Sequence, residues 1–266
     1  MTDIERVTDM YRSGLSAIEI ASQLERQPHQ VYYLLEKAGV PRRSNRQNSR
    51  RHSLDETYFS HIDAPEKAYW LGFLFADGSL GEYQGQKVVK VDLHERDKIH
   101  LETLSADLSS TYPIRTHVNR TSYGEVPVAR FHVTSSQMFD DLVRHGCVPR
   151  KTLTLKPPVI EPDLERDFIR GFVDGDGSIA RSKSSWSGYR LSLIGTQEMM
   201  EWLRERIPYS GSLQGPARKV WSFTAHGDSV VWLYDDATRY LQRKYDRYLR
   251  IQAQGPSPFL TKKGTG

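Results

Sequence analysis

The sequence of 266 residues contains a single cysteine, Cys147, and no long uninterrupted run of apolar residues. A lone cysteine excludes an internal disulfide framework and a cysteine-based zinc cluster, and such a residue is typically a small buried thiol. The lack of a long apolar run argues against a membrane-spanning helix. The first residues, Met1–Arg6, lack the layout of a signal peptide, so we expect a cytoplasmic protein with no membrane partner.

The sequence is mildly basic, and its histidines lack the spacing of a metal site. None of the nine histidines stands in an H-x-H or H-x-x-x-H pair, so no histidine-based metal site is predicted. The 37 lysines and arginines outnumber the 33 acids, which gives a net charge of +4 and a pI near 9.0. This excess favours a polyanionic partner. The length suffices for two or three compact units, each with its own core.

One apolar stretch occurs twice, over residues 70–80 and 169–179. In each copy two small residues stand four positions apart and therefore share one face of a helix. These residues are Gly72 and Ala76 in the first copy and Gly171 and Gly175 in the second. A helix face without bulky side chains lets two backbones approach closely. We therefore expect both stretches to form helices that pack side by side.

An acid follows each pair of small residues: Asp77 in the first copy and Asp176 in the second, each followed by a glycine that can end a helix. Side-by-side packing would bring both carboxylates to the bottom of one seam. Adjacent carboxylates repel unless a proton or cation lies between them, and hard oxygen ligands suit Mg²⁺. The sequence therefore predicts a magnesium site that the two acids share.

Both stretches resemble the paired motifs of the LAGLIDADG homing endonucleases, and the resemblance extends from about Tyr58 to Tyr248. It implies an α+β fold in which two pseudo-symmetric αββαββα repeats, 58–160 and 161–250, form a saddle over DNA. It also implies that Asp77 and Asp176 are the catalytic acids. They would hold two or three Mg²⁺ ions, with Mn²⁺ as a substitute ion, and the backbone carbonyls of Ala76 and Gly175 would also reach the metals.

Other site residues follow from the same resemblance. Each repeat closes on an arginine–lysine pair, and Lys151 and Lys244 fit positions that polarise water and balance phosphate charge. Gln197 resembles a residue that orients the nucleophilic water, and its counterpart in the first repeat is either Asp97 or Lys98. Asp174 stands where the first copy has a phenylalanine, so we expect a structural or solvent-facing role for it.

Residues 3–39 predict three short helices ahead of the repeats. Ser16–Glu19 form a capping box that starts the second helix, and Pro28 suits the first turn of the third. The pattern resembles a helix-turn-helix of resolvase or homeodomain type, which we assign to residues 1–40. The third helix would offer its outward side chains to the DNA major groove: His29, Gln30, Tyr33 and Lys37.

A basic segment separates these helices from the repeats. Residues 41–54 contain five arginines, no acids and almost no apolar residues, so they cannot form a core, and we assign residues 41–57 to an extended linker. Arginine-rich arms commonly contact phosphates or enter the minor groove. The expected DNA contacts are Arg42, Arg43, Arg46, Arg50 and Arg51. A protein-interaction module without DNA contact is the alternative for the three helices.

Alternating segments after the first motif predict strands with one apolar and one polar face. Polar faces of this kind suit a sheet that lies in the major groove, although ordinary half-exposed sheets also alternate. The expected DNA contacts in the first repeat are Lys90, Asp92, Arg115, His117, Asn119, Arg130 and His132, with Thr116 and Val118 on the core side. Those in the second repeat are Arg181, Lys183, Arg190, Ser192, Arg218 and Lys219. Residues 251–266 predict a disordered tail.

Together these features predict a monomeric, metal-dependent DNA endonuclease. Because the two repeats lie in one chain and differ on their polar faces, we expect a long, non-palindromic double-stranded DNA target. The resemblance implies staggered cleavage with short 3′ overhangs. Two alternatives remain: a catalytically inactive DNA-binding regulator, and an RNA-splicing maturase built on the same fold.

Overall fold

The computed structural model describes residues 2–13, 15–42, 52–122, 124–182, 188–209, 211–217 and 219–255. The chain divides into two compact units, residues 1–53 and 54–266. Their boundary lies inside the predicted linker. The predicted DNA contacts Arg43, Arg46, Arg50 and Arg51 lie outside the described residues. In the described ranges no helix is long and apolar enough to cross a membrane.

The first unit consists of three helices: α1 (Asp3–Arg12), α2 (Ala17–Gln23) and α3 (Pro28–Lys37). Ser16 accepts from the backbone N–H of Glu19 at 3.2 Å, and the Glu19 carboxylate accepts from Ser16 N–H at 2.7 Å. The predicted capping box is thus confirmed, and an equivalent box starts α1. The core of this unit includes Val7, Tyr11, Ile20, Val31 and Leu35.

The second unit contains two αββαββα series, as the sequence predicts. The first comprises α4 (Pro65–Asp77), β1 (Gly78–Tyr83), β2 (Gln86–His94), α5 (Lys98–Asp107), β3 (Arg115–Thr121), β4 (Gly124–Thr134) and α6 (Ser136–Arg144). The second comprises α7 (Glu165–Asp176), β5 (Ser178–Arg181), β6 (Tyr189–Gly195), α8 (Gln197–Arg206), β7 (Gly211–Ala217), β8 (Val220–His226) and α9 (Ser229–Tyr234). A further helix, α10 (Gln242–Ala253), follows.

Each series forms one antiparallel four-stranded sheet, with strand orders β1-β2-β4-β3 and β5-β6-β8-β7. Alternate residues of the central strands face a common core; Val89, Val91 and Leu93 of β2 are buried. The apolar core continues through α4 and α7 into the second sheet. The two motif helices therefore lie between two sheets whose other faces are polar.

The predicted disordered tail begins at residue 251, which is too early, because residues 251–253 belong to the last helix. Helix α10 continues to Ala253 because Ile251 packs into the core, where its side chain is 4% exposed. Residues 256–266 lie outside the described residues.

Candidate active site

Helices α4 and α7 pack backbone against backbone at their glycines. A Cβ atom built on Gly72 would overlap the carbonyl oxygen of Phe168 and lie 2.8 Å from its carbonyl carbon. A Cβ built on Gly171 would likewise overlap the carbonyl oxygen of Tyr69 and lie 2.8 Å from the backbone nitrogen of Phe73. The close approach that the small residues predict is confirmed.

The same approach continues to the ends of the helices, where the acids lie. A Cβ on Gly175 would overlap that of Ala76 and lie 3.4 Å from the backbone nitrogen of Asp77. Helices α4 and α7 end at Asp77 and Asp176. The packing of the small residues therefore fixes where each carboxylate leaves its helix.

The glycine after each acid ends its helix, as the sequence predicts. Gly78 and Gly177 have extended backbones, with φ of −71° and −78°. A Cβ on Gly78 would overlap the carbonyl oxygen of Leu74, and a Cβ on Gly177 would lie 2.6 Å from that of Val173. Glycine is required here because the chain turns sharply from helix into strand against the last helical turn.

Electrostatics couple the two acids. The pKa of Asp77 is raised to about 6, mainly by burial and in addition by the negative charge of Asp176. Burial also raises the pKa of Asp176, while the positive charges of Lys151 and Lys244 oppose the shift. Two desolvated carboxylates and two lysine side chains therefore act on one another in one seam.

Lysine side chains bind the ends of both motif helices. Nζ of Lys244 donates to the carbonyl oxygens of Val173 at 2.6 Å, Gly175 at 3.2 Å and Gly177 at 2.7 Å. Nζ of Lys151 donates to the carbonyl oxygen of Gly78. The two sites differ in burial, since Lys244 is 5% exposed whereas Lys151 is half-buried. Burial lowers the pKa of Lys244 to about 8.

Asp174 lies behind the second acid in a buried hydrogen-bond network. Its carboxylate accepts from the hydroxyl groups of Tyr69, at 2.8 Å, and Tyr234, and from the backbone N–H of Leu241 at 2.7 Å. The side chain is fully buried, so the structural role is confirmed and the solvent-facing one is wrong. Because Leu241 precedes α10, Asp174 helps to position the helix that carries Lys244.

The helix starts bear on the counterpart of Gln197. Gln197 is the first residue of α8 and follows its N-cap residue, Thr196. The equivalent helix of the first repeat, α5, begins at Lys98 and follows Asp97. The choice between Asp97 and Lys98 stays a prediction. Asp97 accepts a hydrogen bond from Nε of Arg243 at 2.8 Å.

Gln197 lies at the start of α8, where its side chain is exposed. Its Nε2 donates to Glu201 at 2.9 Å. The carbonyl oxygen of Gly175, a predicted metal ligand, accepts from Lys244, and Ala76 is half-buried beside Gly175. The catalytic roles assigned to these residues stay predictions.

The first sheet brings its predicted DNA contacts onto one face. The register aligns Lys90 with His132, Asp92 with Arg130, and Arg130 with Arg115. Two further predicted residues, His117 and Asn119, alternate with Arg115 along β3 and share this face. Thr116 and Val118 were expected on the core side, but both are exposed because β3 is an edge strand that extends past the core.

The polar face of the second sheet carries few charges. Arg190 and Ser192 lie on it as predicted, together with residues that the sequence did not single out: Ile194, Ser212, Gln214, Ser222, Thr224 and His226. Arg181 is a correction. It alternates with Ala180 and pairs with buried Tyr189, so it lies on the opposite face and donates to the carbonyl oxygen of Gly255 at 3.5 Å.

The other predicted contacts are distributed as follows. Lys219 is exposed in the turn between β7 and β8 and has a φ of +71°. Lys183 and Arg218 lie outside the described residues. In the first unit His29, Gln30, Tyr33 and Lys37 are exposed on α3, as predicted, and Arg42 lies 4.7 Å from the ring centre of Tyr32.

The site fits a hard divalent cation only in part. Two carboxylates with pKa values raised by burial offer oxygen ligands, and Lys151 and Lys244 supply part of the charge that balances them. Among the described residues no group of three His, Cys, Asp or Glu side chains could hold a metal. Mg²⁺ is commonly bound by one or two carboxylates together with substrate phosphates. The residues present therefore suit Mg²⁺ that is bound jointly by protein and substrate.

The fold is similar to that of a solved homing endonuclease. No family model and no curated protein matches the sequence. A structure of "the homing endonuclease I-WcaI bound to its DNA recognition sequence" aligns over 79% of this chain and 96% of its own, with 13% identity and a TM-score of 0.50. A structure of the LAGLIDADG meganuclease I-AabMI bound to uncleaved DNA aligns over 72% of this chain and 91% of its own, with 13% identity and a TM-score of 0.45. The chain shares the I-WcaI fold.

Proposed function

We propose that this chain is a LAGLIDADG homing endonuclease that hydrolyses both strands of a specific DNA site. One observation carries the proposal: Asp77 and Asp176 end two helices that are joined by backbone contact at Gly72, Gly171 and Gly175. A pair of acids at one seam is the arrangement needed for metal-assisted phosphodiester hydrolysis. The shared fold of I-WcaI, an endonuclease bound to DNA, supports the same activity.

The polar faces of the two sheets supply the DNA-binding surface. On each face, hydrogen-bonding side chains stand at alternate positions of neighbouring strands. Strands with such side chains can enter the major groove and contact base edges. The first face is rich in arginine, lysine and histidine, whereas the second carries mainly hydroxyl and amide groups. Because the faces differ, the target is asymmetric, and one chain acts as a monomer on double-stranded DNA.

The chain's own residues prepare the phosphate for attack. Asp77 and Asp176 would hold Mg²⁺, with the carbonyl oxygens of Ala76 and Gly175 as further ligands. When bound, Mg²⁺ supplies Lewis-acid stabilisation of phosphoryl charge and lowers the pKa of water. The burial of both carboxylates keeps solvent from screening their interaction with a cation.

The lysines stabilise the anionic phosphate from either side of the seam. Lys151 and Lys244 are held next to the acids by carbonyl oxygens of the motif helices. Their positive charge balances the phosphate and polarises nearby water. Gln197 follows its strand near the acid end of the second sheet. We assign to it, and to Asp97 or Lys98 in the first repeat, the orientation of water for cleavage of the two DNA strands.

The first unit adds affinity and a wider footprint. Helix α3 presents His29, Gln30, Tyr33 and Lys37 to the major groove, in the manner of a recognition helix. The arginine-rich segment after it contacts phosphates and makes the affinity dependent on salt.

A cleavage selection tests this function. The protein is incubated with a library of randomised duplexes, in Mg²⁺ and separately in Ca²⁺, and the new DNA ends are sequenced. The expected result is staggered ends with short 3′ overhangs at one long asymmetric site, formed in Mg²⁺ only. Enrichment by binding without new ends in any metal would identify a regulator instead, and preferential binding to structured intron RNA would identify a maturase.

A further inference from the structure

Two rows of side chains, one on each sheet, occupy equivalent places beside the acids. We call them the recognition rows: Asp92, Arg130 and Arg115 on β2, β4 and β3, and Ile194, Ser222 and Gln214 on β6, β8 and β7. The equivalence follows from strand register. The serine two residues after each acid, Ser79 or Ser178, pairs with Lys90 or Ser192. Asp92 and Ile194 each lie two residues after that pairing partner. Extending that register places Asp77 opposite Asp92 and Asp176 opposite Ile194. The two rows thus occupy equivalent register positions beside the acid of their repeat.

The first row is charged and rigid. Arg130 forms a two-pronged pair with Asp92, with Nε–Oδ1 at 2.7 Å and Nη2–Oδ2 at 2.8 Å. Arg115 is the direct neighbour of Arg130 on β3, and its side chain is exposed. A guanidinium group that points from a sheet face into the major groove matches the O6 and N7 acceptors of guanine.

The second row is uncharged and partly apolar. Ile194 is 60% exposed although it lies on the polar face of the sheet, one residue before the end of β6. Its row neighbours are Ser222, which is half-buried, and Gln214, which is exposed. Of the groups on the base edges of the major groove, only the C5-methyl group of thymine favours contact with an aliphatic side chain, and an amide matches N6 and N7 of adenine.

We propose that the second recognition row binds an A·T pair, with the thymine methyl group against Ile194 and the adenine edge on Gln214, whereas the first row binds guanine. The chain would thus select a site whose two halves differ in base composition beside the cleaved bonds. This inference rests on the proposed DNA-binding function and adds the base class that each half of the protein selects.

Replacement of thymine by deoxyuridine tests the inference, because it removes one methyl group and changes no hydrogen bond. DNA affinity is measured in Ca²⁺, so the result does not depend on cleavage. In the wild-type protein, deoxyuridine at one position of one half-site should weaken binding about fourfold, the effect of burying one methyl group. In the Ile194→Ala variant the same replacement should have no effect.

Two comparison variants make the result specific. Val118→Ala truncates another exposed β-branched residue, 56% exposed and on the opposite face of the first sheet, and should keep the fourfold effect. Arg115→Ala should relax a guanine preference in the other half-site by about tenfold or more.

Three outcomes would overturn the inference. The first is insensitivity of wild-type binding to deoxyuridine throughout a well-defined selected site. The second is persistence of the effect in Ile194→Ala. Either result leaves the proposed DNA-binding function intact, because a specific site has been bound. The third is failure to select any DNA site, which refutes the proposed function together with the inference.

Discussion

At the scale of single residues, Asp174 and Phe75 show how one motif position can serve two purposes. Phe75 fills apolar space in the first copy and packs edge-on against Phe168 at 5.0 Å. Asp174 accepts three hydrogen bonds in the second copy. The carboxylates that follow this position, Asp77 and Asp176, occupy matching places at the helix ends. The copies have diverged in their supporting residues while both retain the acid.

If the proposed function is right, substitution of either acid should nearly abolish cleavage and leave DNA binding intact. Asp77→Asn and Asp176→Asn should each lower double-strand cleavage by about a thousandfold or more, because the loss of one ligand removes several kcal/mol of transition-state stabilisation. Binding in Ca²⁺ should change little, and gel-shift titration with the selected site measures it. Asp163→Asn, an exposed carboxylate outside the seam, serves as the control. Loss of binding together with cleavage would show that the acids are structural.

Several residue-level features could be predicted and others could not. The two acids, their glycines and the lysines that follow them repeat in the sequence, so the pattern alone identifies them. The partners of Asp174 could not be predicted, because Tyr69 and Tyr234 lie 105 and 60 residues away along the chain. The prediction for Arg181 is wrong because two residues of alternation in a four-residue strand do not define which face is buried.

At the scale of elements, the contact between α4 and α7 depends on glycine. Gly171→Ala should destabilise the protein by about 3 kcal/mol, because the new methyl group would overlap the carbonyl oxygen of Tyr69 and neither backbone can move without disturbing the core. Urea unfolding measures the change. Gly81→Ala is the matched control, since its Cβ would meet nothing within 4 Å, and it should change stability by less than about 0.5 kcal/mol. Equal effects would contradict the packing described.

An ion pair connects α5 to the segment before α10 and predicts a dependence of stability on pH. Burial alone would raise the pKa of Asp107, but hydrogen bonds from Arg239 and Trp70 lower it overall. The Nε–Oδ2 distance to Arg239 is 2.9 Å. The stabilisation is complete above the unfolded pKa of about 3.9 and disappears as the pH falls through the lower folded pKa.

Asp107→Asn should therefore cost about 1 kcal/mol at pH 7. The difference from wild type should narrow progressively below about pH 4. Chemical denaturation at a series of pH values measures both. A difference that stays constant down to pH 2 would show that the Asp107 carboxylate contributes no charge-dependent stability.

The strands differ in how well the sequence predicts them. Segments with clear alternation, such as β2 and β8, can be identified because apolar residues recur at every second position. Strand β7 cannot, because Gly211, Gly215 and Pro216 lower its strand propensity and a bulge interrupts its pairing. As a result Gln214, a member of the second recognition row, is absent from the contacts that the sequence predicts.

At the scale of the whole molecule, the chain consists of two units with separate cores. Removal of residues 1–53 should leave a folded protein that cleaves the same central site with lower affinity. The logarithm of the binding constant should also fall less steeply with the logarithm of salt concentration, by about one unit of slope for each phosphate that the shortened protein no longer binds. Footprinting and binding titrations over a range of salt concentrations measure both effects.

A full-length variant separates the contributions of the helices and the basic arm. Replacing Arg42, Arg43, Arg46, Arg50 and Arg51 by glutamine removes charge and leaves α1–α3 intact. We expect this variant to show a weaker salt dependence but to retain part of the extended footprint. An unchanged footprint after removal of the whole unit would exclude a DNA-binding role for it.

The backbone contact between the motif helices has a consequence for protein engineering. Because the separation of the two acids is fixed by glycine backbones rather than by side chains on the sheets, exchange of residues in either recognition row should leave the positions of the two acids unchanged. A variant library restricted to the polar face of one sheet would then change preference for one half-site alone. Because the sheet faces can change without moving the acids, natural variants could also adapt to single base-pair changes in a DNA target.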